Sequence, residues 1–138
     1  PKDIQTLVEE AEERTAGHTG YTLQIAFNYG GRDELVRAVG RLAAEAKAGR
    51  LDPDAIDEAM ISQSLDTGDA PDPDLIIRTS GEQRISNFLL WQAAYSEFVF
   101  LDCYWPDFSR DHFMAAIDQY QGRTRRFGAR PEEGPIEE

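Results

Sequence analysis

The chain has 138 residues, the length of one domain, and its 41% hydrophobic and 29% charged content is that of a globular protein. A formal net charge of −12 argues against nucleic acid and against anionic membrane surfaces as partners, because both recruit basic patches. A single cysteine, Cys103, excludes an intrachain disulfide and two histidines make a Cys/His zinc site untenable, while no apolar run is long enough for a membrane span or reads as a signal peptide. The chain therefore reads as cytoplasmic, with Cys103 as a buried thiol among apolar neighbours.

In chain order, Ile4, Leu7, Val8 and Ala11 stand at helical spacing and predict an amphipathic helix over 3–14. A loop over 16–20 carries His18, read as an exposed loop residue rather than a catalytic one. The β-branched and aromatic run Tyr21–Phe27 predicts a strand, and Asn28-Tyr29-Gly30-Gly31-Arg32 turns into a helix. On that helix Leu35, Val36, Val39, Leu42, Ala43 and Ala46 make one stripe, which Gly49 closes. Asp52 caps a short helix that has Pro53 at its first position and runs through Ile56, Ala59 and Met60. The loop from Thr67 to Pro73 is acidic and extended, and its prolines deliver the chain into a buried strand at Leu75-Ile76-Ile77.

Residues 86–95 carry apolar groups on nearly every face and predict a helix buried in a core or a subunit interface. A third strand follows at Phe98–Leu101, then a turn at Trp105–Phe108 and a last helix defined by Phe113, Met114, Ile117 and Tyr120. Arg123, Arg125, Arg126 and Arg130 give way to an acidic tail, so 1–128 read as the folded part and 129–138 as disordered. Elements in this order predict an α/β fold with a mainly parallel sheet flanked by helices. Three strands are few for so much apolar surface, and the chain starts without Met, directly in a helix. The expectation is an incomplete sheet whose amino-terminal strands are missing.

Chemistry gathers after the Leu75 strand. Arg78 stands at its carboxyl end, Gly81 permits a tight turn, and Ser80 with Gln83 three places on resembles a capping box that opens a helix. Free backbone N–H groups, Arg78, Arg84 and the hydroxyls of Thr79, Ser80 and Ser86 would then surround one spot, which suits a phosphate or diphosphate. The plainer alternative is that Arg78 and Arg84 merely pair with Glu82 or Asp74. Phe88, Trp91, Tyr95, Phe98, Phe100, Tyr104 and Trp105 could form a surface for a hydrocarbon ligand, but their placement on a buried element and a strand favours core and subunit contact.

The run from Arg78 to Gln92 (Arg-Thr-Ser-Gly-Glu-Gln-Arg-Ile-Ser-Asn-Phe-Leu-Leu-Trp-Gln), with Ala94-Tyr-Ser-Glu97 and Trp105-Pro-Asp-Phe108, closely resembles the cis-prenyltransferases, the undecaprenyl or decaprenyl diphosphate synthase family. Asn28-Tyr-Gly-Gly-Arg32 and Arg123-Thr-Arg-Arg-Phe-Gly128 match its other carboxyl-half motifs, so the resemblance spans about residues 3–128. It implies condensation of isopentenyl diphosphate with an allylic diphosphate to extend a cis-polyprenyl chain, with Mg²⁺, in a homodimer that meets membrane only through its lipid product. Carried over, Arg78, Arg84 and Ser86 would hold the diphosphate of isopentenyl diphosphate and Glu82 would support them. Glu97 matches the glutamate linked to Mg²⁺, and Arg126 and Gly128 a motif reaching a neighbouring subunit. Asn28 lies on a motif that belongs with the substrate site. Gln83 stands where many relatives carry His. The family's metal-binding aspartate, in an Asp-Gly-Asn turn, has no counterpart here, so no catalytic residue is expected in this chain and a missing amino-terminal half or a second chain would supply it.

Three functions follow from these readings. The chain is the isopentenyl diphosphate half of a transferase, or a non-catalytic partner subunit of a heteromeric one, or an unrelated phosphate-binding α/β module. Accessory subunits tend to lose the Arg-Thr-Ser-Gly-Glu motif, which is intact here, and the third reading finds neither a Walker loop nor Gly-x-Gly-x-x-Gly.

Overall fold

Two prolines and the apolar triplet behind them set the centre of the molecule. In the computed structural model, which describes residues 2–68 and 70–123, β1 (Leu75–Arg78) and β2 (Glu97–Phe100) are parallel, in register from Leu75↔Glu97 to Arg78↔Phe100. The ladder continues one step past each end: Glu97 N–H donates to the Asp74 carbonyl at 2.9 Å and Leu101 N–H to the Arg78 carbonyl at 2.8 Å. Parallel neighbours need a crossover, and residues 79–96 supply it.

Around this pair lie α1 (Lys2–Thr15), α2 (Gly31–Lys47), α3 (Glu58–Gln63) and α4 (Arg110–Gln121). Gly49, at φ 72°, closes α2 as its sequence position suggests. The short helix after Asp52 is two pieces: Asp52 caps a 3-10 turn at Pro53–Ala55, Ile56 is extended, and Asp57 caps α3 by accepting from Met60 N–H at 2.9 Å. Ser109 and His112 form a capping box on α4, which packs against β2. Ala38, Leu65, Ala93, Val99 and Ala116 make the apolar core, together with the buried polar side chains Glu34 and Gln92. Among the described residues no helix is long and apolar enough to cross a membrane.

Several expectations are corrected. Tyr21–Phe27 joins neither helix nor sheet, with Tyr21 fully exposed and Leu23 83% exposed; β-propensity needs a neighbouring strand to become sheet, and no described strand pairs with it. Among the described residues the sheet therefore has two strands, not three. Residues 86–95 form turns rather than a helix, because Ser86, Asn87 and Leu89 sit at φ 49°, 63° and 46° and break the helical ladder. On α2 the buried line is Gly31, Glu34 and Ala38, one step round from the apolar stripe, and Val36 is 71% exposed. Within this chain none of the seven aromatic residues is fully buried, so none of them is core, and Cys103 is only half-buried. Arg125, Arg126, Gly128 and the acidic tail lie outside the described residues.

Candidate anion-binding site

Arg78 ends β1, and its guanidinium donates to the carbonyl of Arg84, drawing the turn back over the strand end. The turn is pinned on its other side as well. Ser80 N–H donates to the Cys103 carbonyl at 2.8 Å and Gly81 N–H to the Leu101 carbonyl at 2.9 Å. Both residues have positive φ, 72° and 65°, so the expected capping box does not form and no helix starts here. The N–H groups of Ser80 and Gly81 are thus committed to backbone, and the positive charge of the site comes from guanidinium groups rather than from a helix dipole.

The result is a cleft of about 200 Å³ in which Arg78, Arg84 and Ser86 share the wall with Ile76, Ile77, Ile85, Phe88 and Phe98. Arg84 also pairs with Glu82, so the plainer reading of these charges is realised in part. That pair is open to water, the side chains being 66% and 36% exposed, and an exposed ion pair holds an arginine only weakly. Two forked donors, one hydroxyl and an apolar wall suit a small anion with a hydrocarbon end.

The other expected residues lie elsewhere. Glu97 opens β2 beside Leu75, at the opposite end of the sheet from Arg78, about 10 Å away along the strands. Its carboxylate accepts from Arg123 at 2.9 Å, and Arg123 also donates to the Phe98 carbonyl at 2.8 Å. Asn28, at φ 51°, lines a larger cleft of about 480 Å³ with Leu23, Ile25, Phe27 and Tyr29; Phe88 walls both clefts. Among the described residues no three His, Cys, Asp or Glu side chains converge on a possible metal position.

Against the larger cleft, whose wall includes Tyr29, Asp66 and Thr67, is a polar cluster that the apolar stripe conceals. Glu34 is fully buried and accepts from the Tyr29 hydroxyl, from Asp66 N–H at 2.9 Å and from Gln92 Nε2 at 3.1 and 3.3 Å. The same Gln92 amide nitrogen reaches Thr67 Oγ1 at 3.1 Å. Burial, and then the Glu34 carboxylate, push the Tyr29 phenol well above the usual tyrosine range. Asp66 is gripped by Arg37 through a fork of 2.7 and 2.5 Å, which holds its carboxyl below the usual range. The signal available in the sequence was the close approach that Gly30-Gly31 permits one turn before a lone Glu.

Fold and cleft together define an α/β domain that presents arginines and a hydroxyl beyond the carboxyl end of a parallel strand, a place where such folds take phosphorylated small molecules. A family model described as putative undecaprenyl diphosphate synthase matches residues 1–128, and the chain belongs to that prenyltransferase family. It is 63% identical over 131 residues to an isoprenyl transferase of Agrobacterium fabrum, covering 95% of this chain and 53% of that protein. It is 50% identical over 128 residues to a tritrans,polycis-undecaprenyl-diphosphate synthase (geranylgeranyl-diphosphate specific) of Thermoplasma volcanium, covering 93% of this chain and 50% of that protein. The solved lavandulyl diphosphate synthase of Lavandula x intermedia, in complex with dimethylallyl diphosphate, superposes with a TM-score of 0.90 at 40% identity, over 94% of this chain and 56% of that one. A probable undecaprenyl diphosphate synthase of Campylobacter jejuni gives a TM-score of 0.78 at 30% identity, over 94% and 58%. The chain spans about half the length of the curated relatives it matches.

Proposed function

We propose that this chain carries the isopentenyl diphosphate side of a cis-prenyl chain-elongating transferase. The observation that carries this reading is the cleft that joins Arg78, Arg84 and Ser86 to an apolar wall of two isoleucines and a phenylalanine from the sheet. In the reaction the allylic C–O bond breaks and diphosphate leaves, the double bond of isopentenyl diphosphate forms the new C–C bond, and a proton is lost to restore an alkene. Two diphosphates must approach each other, and fixed guanidinium charge at one of them offsets their repulsion. Arg78 and Arg84 hold the diphosphate, Ser86 adds a hydrogen bond, and Glu82 keeps Arg84 near the cleft while it is empty. Asn28, on the far side of Phe88, belongs to the second cleft, whose apolar wall suits the hydrocarbon of the other substrate.

Mg²⁺ is the metal that the family resemblance implies, but the described residues do not fit a metal site by themselves: no three of their carboxylates, imidazoles or thiols converge, and Glu97 lies outside the cleft and pairs with Arg123. A raised Mg²⁺ requirement in a Glu97→Ala variant assigns that carboxylate to the metal, and an unchanged requirement assigns it to Arg123. The same resemblance supports a homodimer in a cytoplasmic setting, with Arg126 and Gly128 reaching the neighbouring subunit. The proteins it matches are named for different products, undecaprenyl diphosphate and lavandulyl diphosphate.

Replacing Arg84 with Ala tests the reading. In the catalytically active protein the KM for isopentenyl diphosphate is expected to rise by tenfold or more, as roughly 1.5–3 kcal/mol is lost with a charge-assisted bond, while the allylic KM stays near its original value. Equal losses for both substrates would refute it.

A further inference from the structure

Helix α2 opens without a cap of its own. Its N-cap residue, Gly30, is extended at φ −154° and has no side chain to accept from the first-turn N–H groups, which need partners. They find them far along the sequence. Gly31 N–H donates to the Asn87 carbonyl at 2.7 Å, and Arg32 N–H donates to Asn87 Oδ1 at 2.9 Å. Asn87 thus does from the crossover what an Asn normally does from the N-cap position itself.

The fit depends on two missing Cβ atoms. A Cβ on Gly30 would stand 2.9 Å from Asn87 Nδ2, and one on Gly31 would stand 3.2 Å from the Asn87 carbonyl oxygen and 3.1 Å from Leu90 N. On the crossover side, Ser86 and Asn87 hold left-handed backbone angles of 49° and 63°, which ordinary residues adopt only when their surroundings fix them. No helical ladder does so here. The stretch that puts Arg84 and Ser86 on the cleft wall is held from the strand end by Arg78, which donates to the Arg84 carbonyl, and from the other end by Asn87 on α2.

We infer that Asn87 is a positioning residue for the diphosphate cleft: by capping α2 across the fold it fixes the left-handed turn that presents Ser86 and Arg84. This inference rests on the proposed role of the cleft. Two substitutions separate the cap from the backbone angle. Asn87→Gly accepts the positive φ but removes Oδ1; Asn87→Asp accepts it too and keeps the acceptor at a helix start, where negative charge is favoured.

The measurements are steady-state KM values for isopentenyl diphosphate and for the allylic substrate in the active protein, kcat, the melting temperature, and hydrogen exchange at the Arg32 amide. For Asn87→Gly the isopentenyl KM is expected to rise roughly five- to tenfold, the scale of a lost cap, with the allylic KM unchanged and the Arg32 amide exposed to exchange. Asn87→Asp should stay within about twofold of the parent on every count. An unchanged isopentenyl KM in the Gly variant, equal impairment of Gly and Asp variants, or a Gly variant that fails to fold would each overturn the assignment. Arg84→Ala, run alongside, separates the two levels. If it raises the isopentenyl KM and Asn87→Gly does not, the positioning role alone falls; if neither does, the reading of the cleft falls with it.

Discussion

The segments on either side of Asn28 are built in opposite ways. Residues 2–27 consist of α1 and a stretch without regular structure, and no side chain in α1 is buried. What holds α1 is local: its own ladder, with Thr6 Oγ1 donating back to the Lys2 carbonyl at 3.1 Å and Thr15 Oγ1 to the Ala11 carbonyl at 2.9 Å. From Tyr29 onward the chain is tied across long sequence distances, through Glu34 to Gln92 and Asp66, and through Arg32 to Asn87. The first region is written in propensity and the second in tertiary contacts, and the candidate cleft belongs to the second. A site held this way can keep left-handed backbone at three nearby positions because bonds from α2 and the strand end fix it, where local propensity would not.

Removing the hub of the second region should have the largest effect. Glu34→Ala leaves the Gln92 amide, the Tyr29 hydroxyl and the Asp66 N–H without their buried acceptor, and a loss of about 3 kcal/mol or more is expected in denaturant unfolding. A loss under about 1 kcal/mol would mean that water reaches the cluster and that the contrast between the regions is overstated. Tyr29→Phe cuts one spoke and keeps the ring, which meets Phe88 edge-on at 5.6 Å, so about 1 kcal/mol is expected. This variant also carries a pH signature. The folded phenol has its pKa raised, so the stability it contributes is complete below the ordinary tyrosine value of about 10 and is lost as the pH climbs through the folded value. The parent protein should therefore lose more stability than Tyr29→Phe on going alkaline, and parallel curves would contradict the burial of that hydroxyl.

The same division explains what the sequence showed and what it hid. The first and last helices, the prolines that deliver β1, Gly49 and Asp52 are local signals, and the structure has them all. Arg78, Arg84 and Ser86 stand within one short motif, and all three line one cleft. The crossover differs from the expected helix for a physical reason: apolar residues on every face suit a buried helix and a set of turns equally well, and only the Ser86-Asn87 pair, favoured in turns, speaks against a helix. Glu34 and Asn87 do not show in the sequence as anchors of the fold because Gln92 and Arg32, which bond to them, stand 58 and 55 positions away. Glu97 could be matched to a motif, but which end of the sheet it occupies depends on strand register, which no local pattern states.

The smallest expected effect is the one that can break the contrast. Leu23 and Ile25 stand exposed along the unpaired stretch and line only the larger cleft. If residues 21–27 contribute nothing to stability, Leu23→Ser and Ile25→Ser should each change the unfolding free energy of this chain by no more than about 0.5 kcal/mol, as exposed substitutions do. Burial of the same side chains against further polypeptide would be worth about 1.5–3 kcal/mol apiece. Measured in this chain and again in the catalytically active protein, the pair therefore reports whether the stretch gains a partner. A rise from the first value to the second would show that its β-propensity is used after all, and that the two regions differ in the partners available to them rather than in the way they are coded.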